Sequence, residues 1–319
     1  PNNRLGLAQW LTDPRHPLMA RVTVNRIWQR YFGTGLVKTV NDFGVQGEFP
    51  SHPDLLDWLA VEFIESGWDL KALHRLIVTS ATYQQRAGTT PALEQRDPAN
   101  RLLARGPRIR LDAEVLRDQA LAVSGLLVPK VGGPSVKPWQ PAGLWEEVAY
   151  GAGYTAQTFE ADAGAAQYRR SLYTFWKRQS PPPNLMVFDA PNRETCTMQR
   201  ETTNTPLQAL TLMNDPQYVE AARKLAERVL AEGGRSDEDR VHYAWRLVTG
   251  RAPQPAELDV VLGMLDANRA DYRAAPEDAA ALLDVGASAV EVDTHAEELA
   301  AWSLVGNLLL NLDEAINKT

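Results

Sequence analysis

The chain has 319 residues, 44% of them hydrophobic and 23% charged, the proportions of a folded protein with a sizeable core. Acidic residues outnumber basic ones by 40 to 33, a formal net charge of -7, which argues against nucleic acid as a partner. Cys196 is the only cysteine, so an intrachain disulfide and thiolate-based zinc or iron–sulfur sites are excluded.

Residues 1–86 read as helices separated by short caps. Leu5, Leu7, Ala8 and Leu11 fit one apolar helix face that stops at Thr12-Asp13-Pro14. Pro17 opens a second helix, whose buried side is Val22, Val24, Ile27, Trp28 and Tyr31. Within it, Asn25 and Arg26 make a polar pair that is either a structural bridge or the wall of a site. Residues 41–50 form a loop in which Asp42-Phe43-Gly44 reads as a turn, the other elements of a kinase being absent. Ser51 is placed to cap the next helix with Asp54 reciprocating, and His52 beside it fixes the loop or contacts a ligand. Asp69 caps a fourth helix carrying Leu73, Leu76 and Ile77.

Residues 88–108 are rich in turn formers, and a further helix runs from Asp112 to about Val123. The section 129–204 differs in kind, with the glycine, proline and aromatic density of strands and long loops. Within it, Arg169–Arg178 alternates as a strand, with Leu172, Thr174 and Trp176 on one face. From Thr205-Pro206 onward the chain returns to helix, over 206–213, 216–232, 237–248, 255–269, 277–284 and 296–315. The predicted fold class is therefore mainly α: helical sections 1–128 and 205–319 packing together as one domain, around a central loop-rich, partly β-stranded insertion over 129–204.

Several blocks carry a family resemblance. They are HPLMARVTVNRIWQRYFGTGLV, DFGVQGEFPSHPDLLDWLA, GWDLKALHRLIVTSATYQQ, YRRSLYTFWKR, FDAPNRE and TTNTPLQALTLMNDP. With these the sequence resembles the DUF1553 family, the planctomycete PSD1 C-terminal domain, over nearly its whole length. The resemblance implies a large exported, periplasmic-type multidomain protein in which a DUF1549-like domain, and often a cytochrome-c-like module, lie upstream. It also implies a setting of polysaccharide metabolism, and it transfers no catalytic residue. Any haem c would belong to the separate upstream module, since this chain has no CxxCH. The start at Pro1-Asn2-Asn3-Arg4 is that of an excised domain, with any export signal expected upstream. No run of 18 or more apolar residues forms a transmembrane segment.

The segment Phe188–Glu194, just before Arg200–Pro206, gathers polar groups in a non-repetitive stretch. Asp189 and Glu194 could supply the carboxylate pair of glycoside chemistry, or oxygen ligands for calcium. Alternatively these acids form an ion-pair network with Arg193 and Arg200 that ties the insertion to the helices. Trp139, Trp145 and Trp176, with Arg193 and Arg200, are the candidate ligand-binding residues; core packing is the alternative for the indoles. Cys196 reads as a satisfied, partly buried thiol rather than a nucleophile, no histidine lying near it in sequence. Three functions follow as expectations: an accessory module binding a glycan or partner domain, a polysaccharide-active enzyme, and a docking module for a c-type cytochrome.

Overall fold

A computed structural model describes residues 2–147 and 158–318. The chain is mainly α-helical. Helices α1 (Arg4–Leu11), α2 (Met19–Phe32), α3 (Pro53–Glu65), α4 (Leu70–Val78) and α5 (Pro91–Arg96) precede a short strand β1 (Ile109–Arg110). Helices α6 (Ala113–Val123), α7 (Leu144–Glu147), α8 (Pro183–Met186), α9 (Pro206–Asn214) and α10 (Pro216–Glu232) follow. Then come α11 (Asp237–Thr249), α12 (Pro255–Ala274), α13 (Pro276–Leu283), α14 (Ala296–Leu310), α15 (Asp313–Ile316) and β2 (Asn317–Lys318). Strands β1 and β2 pair as a two-stranded sheet. No helix among the described residues is long and apolar enough to cross a membrane. The chain divides into two compact units, residues 1–109 with 317–319, and residues 110–316.

In the first unit, Val24, Trp28 and Phe32 of α2 meet Leu56, Leu59 and Phe63 of α3 and Leu73 and Ile77 of α4. The Trp28 and Phe32 rings stack at 4.1 Å. Asn25 is wholly buried and structural. Its Nδ2 donates to Val37 O (2.9 Å) and its Oδ1 accepts from Val37 N–H (2.8 Å), which satisfies main-chain groups in the segment after α2. Arg26 is exposed.

Two local expectations shift. Helix α3 starts one residue later than its capping signal indicates, with His52 at the cap position and Pro53 at the first helical one. Ser51 instead bonds Leu36 O through both its N–H (2.9 Å) and its hydroxyl (3.3 Å), and His52 Nδ1 lies 3.0 Å from Ser51 Oγ. In α1 no residue is buried: Leu5 is 61%, Leu7 56% and Trp10 59% exposed.

The second unit is built around α14, which packs on α9, α10, α11, α12 and α13. Leu299, Trp302, Val305 and Leu309 of α14 and Tyr218, Leu225 and Val229 of α10 are almost entirely removed from water. The two helices approach closely at Gly306, where a Cβ would lie 2.7 Å from Ala222 O. An arginine ties three elements of this unit together. Arg269 of α12 donates to Asp237 at the start of α11 (2.6 and 3.0 Å) and to Glu298 of α14 (2.7 and 2.6 Å).

Among the described residues of 129–204 the β character consists of isolated bridges, Val128 with Arg169, Val136 with Thr174 and Lys177 with Ser180. The alternating stretch 169–178 is not a strand; Ser171–Tyr173 is a 3₁₀ turn. The reason lies in the partners of the backbone. Arg169 donates to Lys130 O (3.0 Å), Gly132 O (2.6 Å) and Pro134 O (3.0 Å), while buried Arg117 donates to Arg169 O (3.0 Å) and Gln167 O (2.6 Å). Guanidinium groups thus satisfy carbonyls that a β-ladder would otherwise pair.

Candidate functional site

The turn after α8 places Asp189 in the left-handed region at φ 61°. Its carboxylate accepts from Thr203 N–H (2.9 Å), from the Thr203 hydroxyl (2.8 Å) and from the Arg110 guanidinium. Arg110 also donates to Thr203 O (2.7 Å) and Gln208 Oε1 (2.5 Å). Gln208 closes the set by donating to Val187 O (2.9 Å) and Thr203 Oγ1 (3.0 Å). Burial alone would raise the Asp189 carboxyl, but donation from Thr203 and Arg110 holds it below the usual carboxylate range. Asp189 is therefore an ionised anchor for the irregular segment, joined to β1 and α9.

Glu194 has a different partner. It is exposed and pairs with Arg178 at 3.4 Å, so Asp189 and Glu194 share no partner among the described residues. Arg193, also left-handed at φ 64°, lies over the Trp176 ring at 4.3 Å, and Trp176 Nε1 donates to Asn192 O at 3.3 Å. Arg200 forms a two-point pair with Glu114 at the start of α6. Cys196, expected to be partly buried, is exposed, because the segment that carries it runs along the surface, with residues 192–199 all exposed. Among the described residues no group of three or more His, Cys, Asp or Glu side chains is arranged to hold a metal ion.

The three candidate tryptophans have separate surroundings. Trp145 is buried, 4% exposed, between Phe159 (5.2 Å) and Phe175 (5.8 Å), with Lys177 4.3 Å from its ring centre. Trp176 is half-buried against the core under Arg193. Trp139, also half-buried, lines a cavity of about 120 Å³ together with Gln167, Gln217, Glu220 and Gly286.

Hydrogen bonds fix the walls of this cavity. Trp139 N–H donates to Gln167 Oε1 (3.0 Å), and Trp139 O accepts from Gln217 Nε2 (3.0 Å). Gln217 Oε1 in turn accepts from Arg117 Nε (2.7 Å), so a buried cation fixes the amide that fixes the indole segment. Glu220 Oε1 accepts from the Tyr168 hydroxyl (2.7 Å), Ala287 N–H (2.8 Å) and Ser288 N–H (2.6 Å), leaving Oε2 outside those three bonds. Burial first, and then Glu220, push the Tyr168 hydroxyl well above the usual phenol value, which keeps it a donor. Arg223 Nη2 donates to Ser288 O (2.7 Å), holding the same loop from one turn further along α10.

Of these groups, sequence reasoning named only Trp139. Glu220 and Arg223 look like solvated charges on a helix, because i,i+3 spacing of opposite charges is usual on exposed faces. Their burial is set by the loop 286–288, which no local pattern connects to α10.

No curated protein and no solved structure matches the chain. The match lies in a family model, PSD1, described as a protein of unknown function (DUF1553), over residues 3–265. That span includes the Trp139 cavity except its Gly286 and Ala287 wall, and the whole Asp189 network, and on it the chain belongs to the PSD1 (DUF1553) family.

Proposed function

We propose that the chain is an accessory binding module that holds one sugar residue of a glycan against Trp139, as part of an exported multidomain protein. The observation that carries this reading is the meeting of a half-exposed indole with two carboxamides, Gln167 and Gln217, and the Glu220 carboxylate around one small cavity. A sugar ring offers an apolar C–H face to an indole and hydroxyls that both donate and accept. Each carboxamide nitrogen has a second N–H to offer beyond its bond to Asp162 O or Trp139 O. At about 120 Å³ the cavity is below the roughly 300 Å³ at which sites for drug-sized molecules begin, a size suited to a single terminal residue bound at about millimolar strength.

Titration of the whole chain with mono- and oligosaccharides, followed by Trp fluorescence or calorimetry, tests the reading. Trp139→Ala should weaken binding roughly tenfold or more while leaving the fold intact. Saccharide binding unchanged in W139A, or none in the native chain, would sink it. The enzyme reading has less support, because Asp189 is committed to Arg110 and Thr203 and Glu194 to Arg178.

Docking of another domain of the same polypeptide is a second reading, favoured by α1. Its Leu7 and Trp10, three residues apart on one side of the helix, are both more than half exposed, and neighbouring exposed apolar side chains mark interaction sites. Mixing the chain with a separately produced upstream DUF1549-like domain should give a complex, and Trp10→Glu with Leu7→Glu should abolish it. A complex untouched by those changes would place the contact elsewhere.

A further inference from the structure

In the first unit, the turn from α3 to α4 frames a groove. Gly67 (φ 76°) and Trp68 (φ 63°) are both left-handed. Trp68 N–H donates to Phe63 O (3.0 Å), and its ring packs edge-on against the Phe63 ring at 5.2 Å. Two consecutive residues in that region fix how the chain leaves α3. Asp69 then caps α4, accepting from Lys71 N–H (2.8 Å) and Ala72 N–H (3.0 Å). The groove measures about 600 Å³, within the roughly 300–1,000 Å³ of small-molecule sites.

Its floor is apolar and its rim is charged. Phe63 and Leu73, each 3% exposed, form the floor, and half-buried Leu76 lies beside them. Lys71 and Arg75 stand one turn apart on α4, about 6 Å along its axis. Glu62 stands on α3. All three charged side chains are exposed, and none has an ion-pair or hydrogen-bond partner among the described residues. Asp69 also lines the groove, but its carboxylate is committed to capping α4. Opposite charges that share one groove without pairing leave each sign open to a ligand.

We propose that this groove binds a free short peptide, with its amino group towards Glu62, its carboxylate towards Lys71 and Arg75, and its apolar side chains on Phe63, Leu73 and Leu76. A dipeptide carries both charges at the ends of an apolar body, whereas the end of a protein chain brings only one of the two terminal charges. Burial of the apolar side chains supplies most of the affinity. The exposed charges each contribute little in water, and they set direction and select the zwitterion.

Methyl NMR of the whole chain with labelled leucines, titrated with the dipeptide Leu-Phe, tests this. The Leu73 and Leu76 signals should shift saturably, at about millimolar strength. N-acetyl-Leu-Phe and Leu-Phe amide should each bind roughly two- to fivefold more weakly, the effect of one exposed ion pair. Glu62→Gln should weaken Leu-Phe to the same extent and leave N-acetyl-Leu-Phe unchanged. Lys71→Gln with Arg75→Gln should weaken Leu-Phe and leave Leu-Phe amide unchanged. These side chains are exposed and unpaired, so the changes do not threaten folding. No saturable shift at Leu73 and Leu76 up to about 50 mM overturns the proposal. Blocked forms that bind as well as Leu-Phe overturn it too, as does an E62Q effect that persists with the N-acetyl form.

Discussion

Glu114 Oε2 lies 2.6 Å from Arg200 Nη1 and Glu114 Oε1 lies 3.0 Å from Arg200 Nη2, with both side chains about four-fifths buried. The carboxylate sits in the first turn of α6, where the helix dipole also favours it. The arginine belongs to the irregular segment before α9, so this one pair fastens a loop without secondary structure to a helix. Glu114→Gln keeps the shape and removes the charge. It should lower the unfolding free energy by roughly 1.5–3 kcal/mol, read as a lower denaturant midpoint with an unchanged m-value. A double-mutant cycle with Arg200→Ala should return a coupling on the order of 1 kcal/mol or more; additive effects would mean that the pair contributes little.

The same pairs set the acid limit of the fold. Burial raises the Glu114 carboxyl and Arg200 more than offsets it, so the group is held low. Bonds from Arg269 lower Asp237 and Glu298, and Asp189 is lowered by Thr203 and Arg110 against its burial. A carboxyl whose folded pKa is depressed adds stability that is fully present above its unfolded pKa and lost as pH falls through the folded one. Asp215 opposes them, since burial raises its carboxyl and protonation there favours the folded chain. The lowered carboxyls outweigh it, so stability should decline as pH falls below about 4. Urea midpoints across pH check this, and E114Q should show a shallower decline than the native chain.

The three insertion tryptophans should separate by what they touch. Trp145→Ala empties a buried aromatic cluster and should cost about 3–5 kcal/mol. Trp176→Ala removes a half-buried ring and its contact with Arg193, at about 1–3 kcal/mol. Trp139→Ala should be the mildest in thermal unfolding and the only one of the three to act directly on saccharide binding. A W139A protein that melts as early as W145A would show that Trp139 is packing rather than a ligand wall.

Much of the helical frame is legible in the residues themselves. Asp69 bonds the N–H groups of Lys71 and Ala72 as its position predicts, and Thr205 with Gln208 closes a capping box at the start of α9. Helices α9 to α13 begin at or beside the expected residues, because Pro, Ser and Asp there are local signals that act within one turn. The section 129–204 resists the same reading. Alternation in Arg169–Arg178 mimics a strand, yet what decides the conformation is where Arg117 and Arg169 find carbonyls more than thirty residues away. The apolar run of α1 likewise predicts a buried face, and burial depends on a partner surface that periodicity does not encode. For the site, an indole can be nominated from composition, but Glu220 joins it only because the loop 286–288 folds onto α10.

That loop gives the most specific test of the Trp139 cavity. Gly286 has φ +102°, and a Cβ there would lie 2.5 Å from Glu220 Cδ and 2.6 Å from its Cγ. Gly286→Ala therefore meets two penalties, a backbone conformation that disfavours L side chains and a clash with a buried, triply bonded carboxylate. The cheapest relief is for the loop to leave Glu220, which would release the Ala287 and Ser288 N–H groups and widen the cavity. Stability should fall by roughly 1–3 kcal/mol. Hydrogen exchange should speed up locally at 286–291, where Glu227 Oε2 also accepts from Glu291 N–H at 3.0 Å, while α12 and α14 keep their protection. Saccharide affinity should fall with it, since Glu220 and Gly286 both line the cavity. Unchanged exchange at Ala287 and Ser288 in a G286A protein would mean that the Glu220 clamp does not hold the loop, and the cavity would then lose one of its walls as a defined feature.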